Sequence, residues 1–352
     1  MTGINGPIKV LVVDDSPLVC QVLGRLLETD PAVRVIGYAA DGKEAVEKTF
    51  QLKPDMITMD IRMPGMDGLE ATEKIMAYRP TPILIVTSAR DRRGVQVTME
   101  ALAAGALEVV EKPTIMPDNS WEVLGASLVE KVKLLAGVRV ITHLKGRSRR
   151  LAGRARPDER DRPQRVVGIG VSTGGPGILA MILGALPDDF PLGLLIVQHI
   201  TEGFMAGLVE WLSRQIRLPI RLACEGDQVR PGLALMAPEG VHLGVEREGR
   251  IHLGRALPVG GHRPSADVLL HSLANVYGEA AVGVLLTGMG RDGAEGLRAV
   301  RSAGGYTIVQ DEESCAVFGM PKAAIELGAA QDILPPAGIA ERLVQLALRP
   351  VS

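Results

Sequence analysis

Short apolar runs that end on a polar residue alternate along this chain with segments of helical period, and that alternation restricts its fold more than any other feature. IKVLVV (8–13) runs into Asp14 and Asp15 and is followed by SPLVCQVLGRLLETD, whose apolar residues recur at helical spacing. VRVIGYAA, PDMITMD, TPILIVTSA and LEVVEKP follow as strand candidates, with helical stretches between them. Strand–helix alternation of this kind predicts a parallel sheet with helices on both faces, so the class is α/β. The same punctuation returns later: RVVGIGV ends at Ser172, LGLLIVQ ends at His199, and AAVGVLL leads into TGMGRDG with Asp292.

Between the two alternating regions the pattern stops. GVRVITHLKGRSRRLAGRARPDERDRPQR is dominated by Arg, Gly and Pro after Leu144 and reads as an exposed linker. The expected organisation is a domain over 1–136, a basic linker over 137–164 and a second domain over 165–352. A chain of 352 residues suits two domains, and 46% hydrophobic residues is enough for a core in each. A net charge of −2 argues against a general nucleic-acid binder, and the basic run reads as a solvated linker. Cys20, Cys224 and Cys315 are too few and too scattered for a disulfide framework or a zinc site, which suits a reducing compartment. MTGINGPIKV lacks the apolar core of a signal peptide, and no apolar run reaches the roughly 20 residues that span a bilayer. The expectation is a cytoplasmic protein without membrane insertion.

In a parallel α/β sheet the carboxyl ends of the strands form the functional edge. Asp14, Asp15, Asp60, Thr87 and Lys112 all fall at such ends in the first region. Three carboxylates on one edge repel one another, and a divalent cation with oxygen ligands, Mg2+ above all, relieves that repulsion. Helix capping by Asp15 or Ser16 would explain one such residue, not five at successive strand ends. VVDDS, DIRMPGMDG, VTSA and EKP stand in the order of the bacterial response-regulator receiver family, which the region resembles over essentially its whole length. The resemblance implies a flavodoxin-like fold and phosphorylation of Asp60 by a histidine kinase. It implies Mg2+ on Asp14, Asp15 and Asp60, and contacts from Thr87 and Lys112 to the phosphoryl group. Many receivers carry an aromatic residue three before the lysine; this chain has Val109 there.

In the second region Ser172, His199 and Asp292 would reach one sheet edge if their strands are neighbours. They are the parts of an acyl-transfer triad: a serine hydroxyl needs a base to take its proton, and the base needs a partner that orients it. Backbone N–H groups after Ser172, at the start of the PGILAMILGAL helix, could serve the oxyanion. A dinucleotide site is the rival reading of GIGVSTGG. The second strand ends in QHI instead of the acidic residue that holds a ribose, and none of the four tyrosines has a lysine four residues on. VHLGVEREGRIHL reads as a hairpin about Glu248-Gly249, with His242 and His252 together on its polar face. His271 reads as a helix-surface residue, and His262 with Arg263 as a loop pair that either touches an acidic substrate or lies in a plain surface loop. Asp267 competes for the third triad position, but its place at the start of an apolar helix makes capping the simpler role.

GVSTGGP, VQHI, HRPSADVLL, LTGMGRDG and AVFGMPKAA together resemble the catalytic domain of the CheB family, chemotaxis protein-glutamate methylesterases and protein-glutamine glutaminases. The match spans nearly all of 166–330, and a preceding receiver is that family's arrangement. It implies a doubly wound, mainly parallel α/β hydrolytic domain with Ser172 as nucleophile, His199 as base and Asp292 as third member. Thr173 and Met289 would line the site. It implies chemoreceptors as substrates, a CheA-type histidine kinase as phosphodonor, and an esterase reaction that needs no cofactor. Two other classes stay open on sequence alone: a phosphorylation-dependent binding module with an idle site, and a DNA-binding response regulator. An ester-hydrolysis assay tests the first. The second lacks the expected helix-turn-helix pattern after residue 165.

Overall fold

The structure, a computed structural model, describes residues 6–88, 91–112, 120–138, 140 and 165–348. The chain divides into two compact units between Lys145 and Gly146. The linker expected over 137–164 lies, from residue 141 onward, outside the described residues.

In the first unit, β1 (Ile8–Val13), α1 (Pro17–Leu27), β2 (Val33–Ala39), α2 (Gly42–Leu52), β3 (Met56–Met59), α3 (Gly68–Tyr78), β4 (Ile83–Thr87), α4 (Arg92–Ala103), β5 (Glu108–Glu111) and α5 (Ser120–Leu135) alternate strictly. The strands pair in parallel in the order β2-β1-β3-β4-β5. Central β1 and β3 are apolar because helices cover both faces. Helix starts are set by short polar side chains. The Asp41, Asp67 and Asp91 carboxylates accept the N–H groups of Glu44, Glu70 and Gly94, satisfying donors that the first turn leaves unpaired. Ser16, one of the two caps the sequence offers there, does the same for α1 through Val19.

The second unit runs β6 (Val166–Val171), α6 (Gly175–Ala185), β7 (Gly193–Gln198), α7 (Met205–Gln215), β8 (Ile220–Leu222), β9 (Ala234–Met236), β10 (His242–Val245), β11 (Ile251–Gly254), α8 (Ala266–Tyr277), β12 (Ala281–Leu285), α9 (Ala294–Ser302), β13 (Tyr306–Gln310), α10 (Met320–Glu326), β14 (Asp332–Leu334) and α11 (Pro336–Ala347). Its seven-stranded sheet has the order β14-β13-β12-β6-β7-β9-β8, every pair parallel. The unit's first strand, β6, is therefore central. The chain leaves it on one side through β7 and returns on the other through β12, a switch point at which the strand-end loops diverge and open a crevice. Gly168 and Gly170 let α8 lie directly on β6: a Cβ at either position would come within 2.3 Å of Leu273 or 2.6 Å of Ala266.

The hairpin of β10 and β11 turns at Glu248-Gly249, both with positive φ (65° and 73°), as the sequence pattern predicts. Its two histidines share one face but not one environment. His252 is exposed and faces Glu225, but His242 is buried, held between the Ser265 N–H and the Leu257 carbonyl. The hairpin's His242 end is covered by the segment leading into α8, so a polar residue there is a core residue. His271 is exposed on α8, as expected.

Candidate active site

Strand order brings the three candidate triad residues together. β6 and β7 pair in register up to Val171 opposite Gln198, so Ser172 and His199 follow on neighbouring strand ends. The His199 N–H donates to the Val171 carbonyl at 2.9 Å. On the other side β12 pairs with β6, and the Ser172 N–H donates to the Thr287 carbonyl at 3.0 Å; Asp292 follows in the loop that leads to α9. The condition set by the sequence, that these strands be neighbours, is met on both sides of β6.

His199 Nε2 lies 2.9 Å from Asp292 Oδ2. Both ring nitrogens are buried, and neither has an aligned hydrogen-bond partner among the described residues. The Nε2–carboxylate contact is thus one of charge and proximity. Catalytic hydrogen bonds commonly align only once substrate is bound. Asp292 is itself buried and firmly held. It accepts from Ser265 Oγ (2.6 Å), the Ala266 N–H (2.7 Å) and the Asp267 N–H (3.1 Å). Burial alone would raise its pKa. The His199 and Ser265 contacts outweigh that and hold it down at about 2. The carboxylate is charged at any physiological pH and favours a proton on the His199 nitrogen that faces it.

Asp267 does not reach His199. It sits in the first turn of α8, and its carboxylate accepts the Gly296 N–H at 2.7 Å, so it caps α9 instead of its own helix. Burial raises its pKa, in contrast to Asp292. Thr173 is buried, and its carbonyl accepts Thr287 Oγ1 at 3.0 Å. Met289 is half-buried in the loop after β12. Close approach makes Gly288 obligatory here, since a Cβ would stand 2.7 Å from the Ser172 Cβ. The turn after Ser172 passes through Gly174 at φ +76°, and the Gly175 N–H is already spent on the Ser172 carbonyl at 2.9 Å.

Three contributors were not singled out in the sequence. Gln198 is buried, and its Nε2 donates to the carbonyls of both Ser172 (2.9 Å) and His199 (2.8 Å), tying the two strand ends together. Gln310 supports Thr287 in the same way, its Oε1 accepting the Thr287 N–H at 2.8 Å. Ser265 lies within HRPSADVLL but carries no mark of its partner, Asp292. A polar residue closing an apolar strand, as both glutamines do, was the available signal.

In the first unit Asp14 and Asp15 follow β1, Asp60 follows β3, Thr87 closes β4 and Lys112 follows β5. Lys112 Nζ lies 2.6 Å from Asp14 Oδ2 and 2.8 Å from Asp60 Oδ2. Burial opposes the charge on Lys112, but the two carboxylates prevail and hold its pKa above the usual lysine range. Burial raises the pKa of Asp14 despite that lysine. Carboxylate oxygens of Asp14, Asp15 and Asp60 lie within 4.8 Å of one another. A set of hard, anionic oxygens with an exposed member on the solvent side fits Mg2+, which takes few protein carboxylates and keeps its water. Val109 is buried in β5 opposite Ile85.

The two units match two families: the response regulator receiver domain over residues 10–119 and CheB methylesterase over residues 167–343. Among named relatives, protein-glutamate methylesterase/protein-glutamine glutaminase 1 of Syntrophus aciditrophicus (strain SB) is 45% identical over 346 residues, covering 97% of this chain and 98% of the relative. Protein-glutamate methylesterase/protein-glutamine glutaminase 2 of Anaeromyxobacter dehalogenans (strain 2CP-C) is 46% identical over 336 residues, covering 95% and 96%. The crystal structure of the Thermotoga maritima CheB methylesterase catalytic domain matches with a TM-score of 0.51 at 39% identity, covering 52% of this chain and 98% of that one. No helix among the described residues is long and apolar enough to cross a membrane.

Proposed function

The chain belongs to the CheB methylesterase family, and from that premise we propose that it removes methyl esters from glutamates, and amide nitrogen from glutamines, on the cytoplasmic segments of chemoreceptors. The carrying observation is the convergence of Ser172, His199 and Asp292 at the switch point of the second sheet, with His199 Nε2 2.9 Å from Asp292. We assign residues 1–136 to the receiver, 137–164 to a linker and 165–352 to the catalytic domain.

In this reading Ser172 Oγ attacks the ester carbonyl and its proton passes to His199. Nε2 faces Asp292, so the accepting nitrogen is Nδ1, the reverse of the assignment in chymotrypsin-type triads. The backbone N–H groups of Thr173 and Gly174 are the candidate oxyanion donors, because the Gly175 N–H is engaged and Pro176 has none. Nδ1 returns the proton to the leaving methoxide, and methanol departs. Water, deprotonated by the same nitrogen, then cleaves the acyl-enzyme. Glutamine follows the same route with ammonia leaving. Thr173 and Met289 flank the nucleophile and the third member as lining residues.

Asp60 is the proposed phosphoryl acceptor for a CheA-type histidine kinase, with Lys112 and Thr87 meeting the added charge. Asp14, Asp15 and Asp60 would hold Mg2+, which neutralises charge on the transferring phosphoryl group. The buried Lys112–Asp14–Asp60 contacts support this assignment. The family places the reaction in the cytoplasm, a setting that three unpaired cysteines suit. The test is methanol release from a methyl-esterified chemoreceptor fragment incubated with the full chain and a small-molecule phosphodonor. Release that vanishes in Ser172→Ala supports the reading; absence of release by the unaltered chain overturns it.

A further inference from the structure

We propose that His262 is a positioning residue for His199, and that residues 262–267 act as one clamp on both the base and its carboxylate partner. This rests on the reading of His199 as the base. The two imidazoles are stacked face to face, with centroids 4.0 Å apart and planes 1° from parallel. A contact with Asp292 holds one edge of the His199 ring but not its plane. The ring can still turn about its Cβ–Cγ bond, and that turn displaces Nδ1, the proposed proton acceptor. A flat partner against the ring face removes this freedom, because tilting in one direction meets the stacked ring and tilting in the other loses its contact.

The partner is held as firmly as the task requires. The His262 N–H donates to the Val259 carbonyl at 3.0 Å, and the Val259 N–H returns a bond to the His262 carbonyl at 3.1 Å. Arg263 reaches back to the Ala256 carbonyl at 3.1 Å. Ser265, three residues on, donates its N–H to His242 Nδ1 at 3.2 Å and its hydroxyl to Asp292 at 2.6 Å. Since His242 Nδ1 accepts, its Nε2 carries the proton and donates to the Leu257 carbonyl at 3.1 Å, which fixes the same loop again. One segment therefore presses on the face of His199 and, through Ser265, Ala266 and Asp267, supplies the hydrogen bonds that Asp292 accepts among the described residues. This also accounts for a buried histidine in the β10–β11 hairpin, which the triad does not use.

The test compares His262→Leu, which keeps bulk without a flat face, with His262→Phe, which restores the face. Both are made in the full-length chain and assayed for methanol release from the methylated receptor fragment. His262→Leu should lower kcat ~10- to 100-fold, the scale of a small misplacement of a catalytic group, with KM and Tm close to those of the unaltered chain. His262→Phe should recover most of that loss. In NMR spectra the ring-current shift of the His199 imidazole protons should survive in His262→Phe and disappear in His262→Leu. Unchanged kcat in His262→Leu overturns the proposal. So does a rise in KM at constant kcat, which would mark a substrate contact, or a His262→Phe variant no faster than His262→Leu. Failure of the underlying functional reading is distinguishable, because the unaltered chain would then release no methanol.

Discussion

Asp292 and Asp267 exchange helix caps. Asp292, just ahead of α9, accepts the first N–H groups of α8, while Asp267, in the first turn of α8, accepts the Gly296 N–H of α9. The two carboxylates hold the same pair of helices, yet only Asp292 touches His199. On the proposed reading, the pair separates a structural role from a catalytic one. Asp292→Asn should lower methylesterase kcat by about 10⁴-fold, as loss of the orienting carboxylate does in serine proteases. Asp267→Asn should stay within a few-fold in activity and change stability little, because an asparagine side-chain carbonyl caps about as well as a carboxylate. Steady-state kinetics beside urea denaturation of both variants decide; the opposite pattern would make Asp267 the third triad member.

Ser172→Ala should abolish methanol release while moving Tm little, because the hydroxyl is removed from a half-buried strand end without disturbing the backbone bonds to Thr287 and Gln198. Substantial residual turnover would shift the nucleophile to another group, Thr173 first.

Acid should weaken the fold through Asp292. Its pKa is held at about 2, below its ordinary 3.8, so its pairing stabilises fully above about pH 4 and is lost as the pH falls towards 2. The contribution at neutral pH is ~2 kcal/mol. Urea denaturation between pH 6 and pH 2 should show the stability gap between the unaltered chain and Asp292→Asn shrinking over that window. A gap that stays constant would mean the carboxylate is not held down.

Gln198→Leu removes the amide that bridges the carbonyls of Ser172 and His199 and leaves both acceptors buried. The expected cost is about 1–3 kcal/mol of stability, with a fall in kcat as the two strand ends lose their common tie. Denaturation and kinetics on the same preparation test this; a variant equal to the unaltered chain in both would remove Gln198 from the site.

Asp60→Asn should block labelling by a small-molecule phosphodonor without lowering basal turnover. EDTA should have the same effect on labelling, since three carboxylates beside one lysine need a cation before they admit a phosphoryl group. Labelling that persists in EDTA would rule out the assigned metal role.

Much of the architecture was legible because its signals are local. The apolar runs ending at Asp14, Asp60, Thr87, Ser172 and His199 are strands of buried parallel sheets, and the helix starts at Ser16, Asp41 and Asp67 follow from side chains that cap within three residues. The Glu248-Gly249 turn belongs to the same kind, since two adjacent residues at positive φ define it. The burial of His242 was not legible for the opposite reason: alternation places it on one side of the hairpin, but what covers that side is the segment before α8, distant in sequence.

By itself, then, the sequence determined the strands that carry the functional residues, the two alternating regions and the residues eligible for chemistry. Tertiary structure alone decided that β6 lies between β12 and β7, which turns three separate strand ends into one site. It set Asp292 and not Asp267 beside His199, a preference the sequence already leaned to, and it alone placed Gln198 across two carbonyls and laid His262 on His199. The physical reason is one of range. Strand and helix periods and caps are fixed by neighbours within a few residues. Strand order, a buried amide's partners and a stacked ring depend on contacts between segments tens of residues apart, and nothing in the local pattern encodes which of the possible pairings forms.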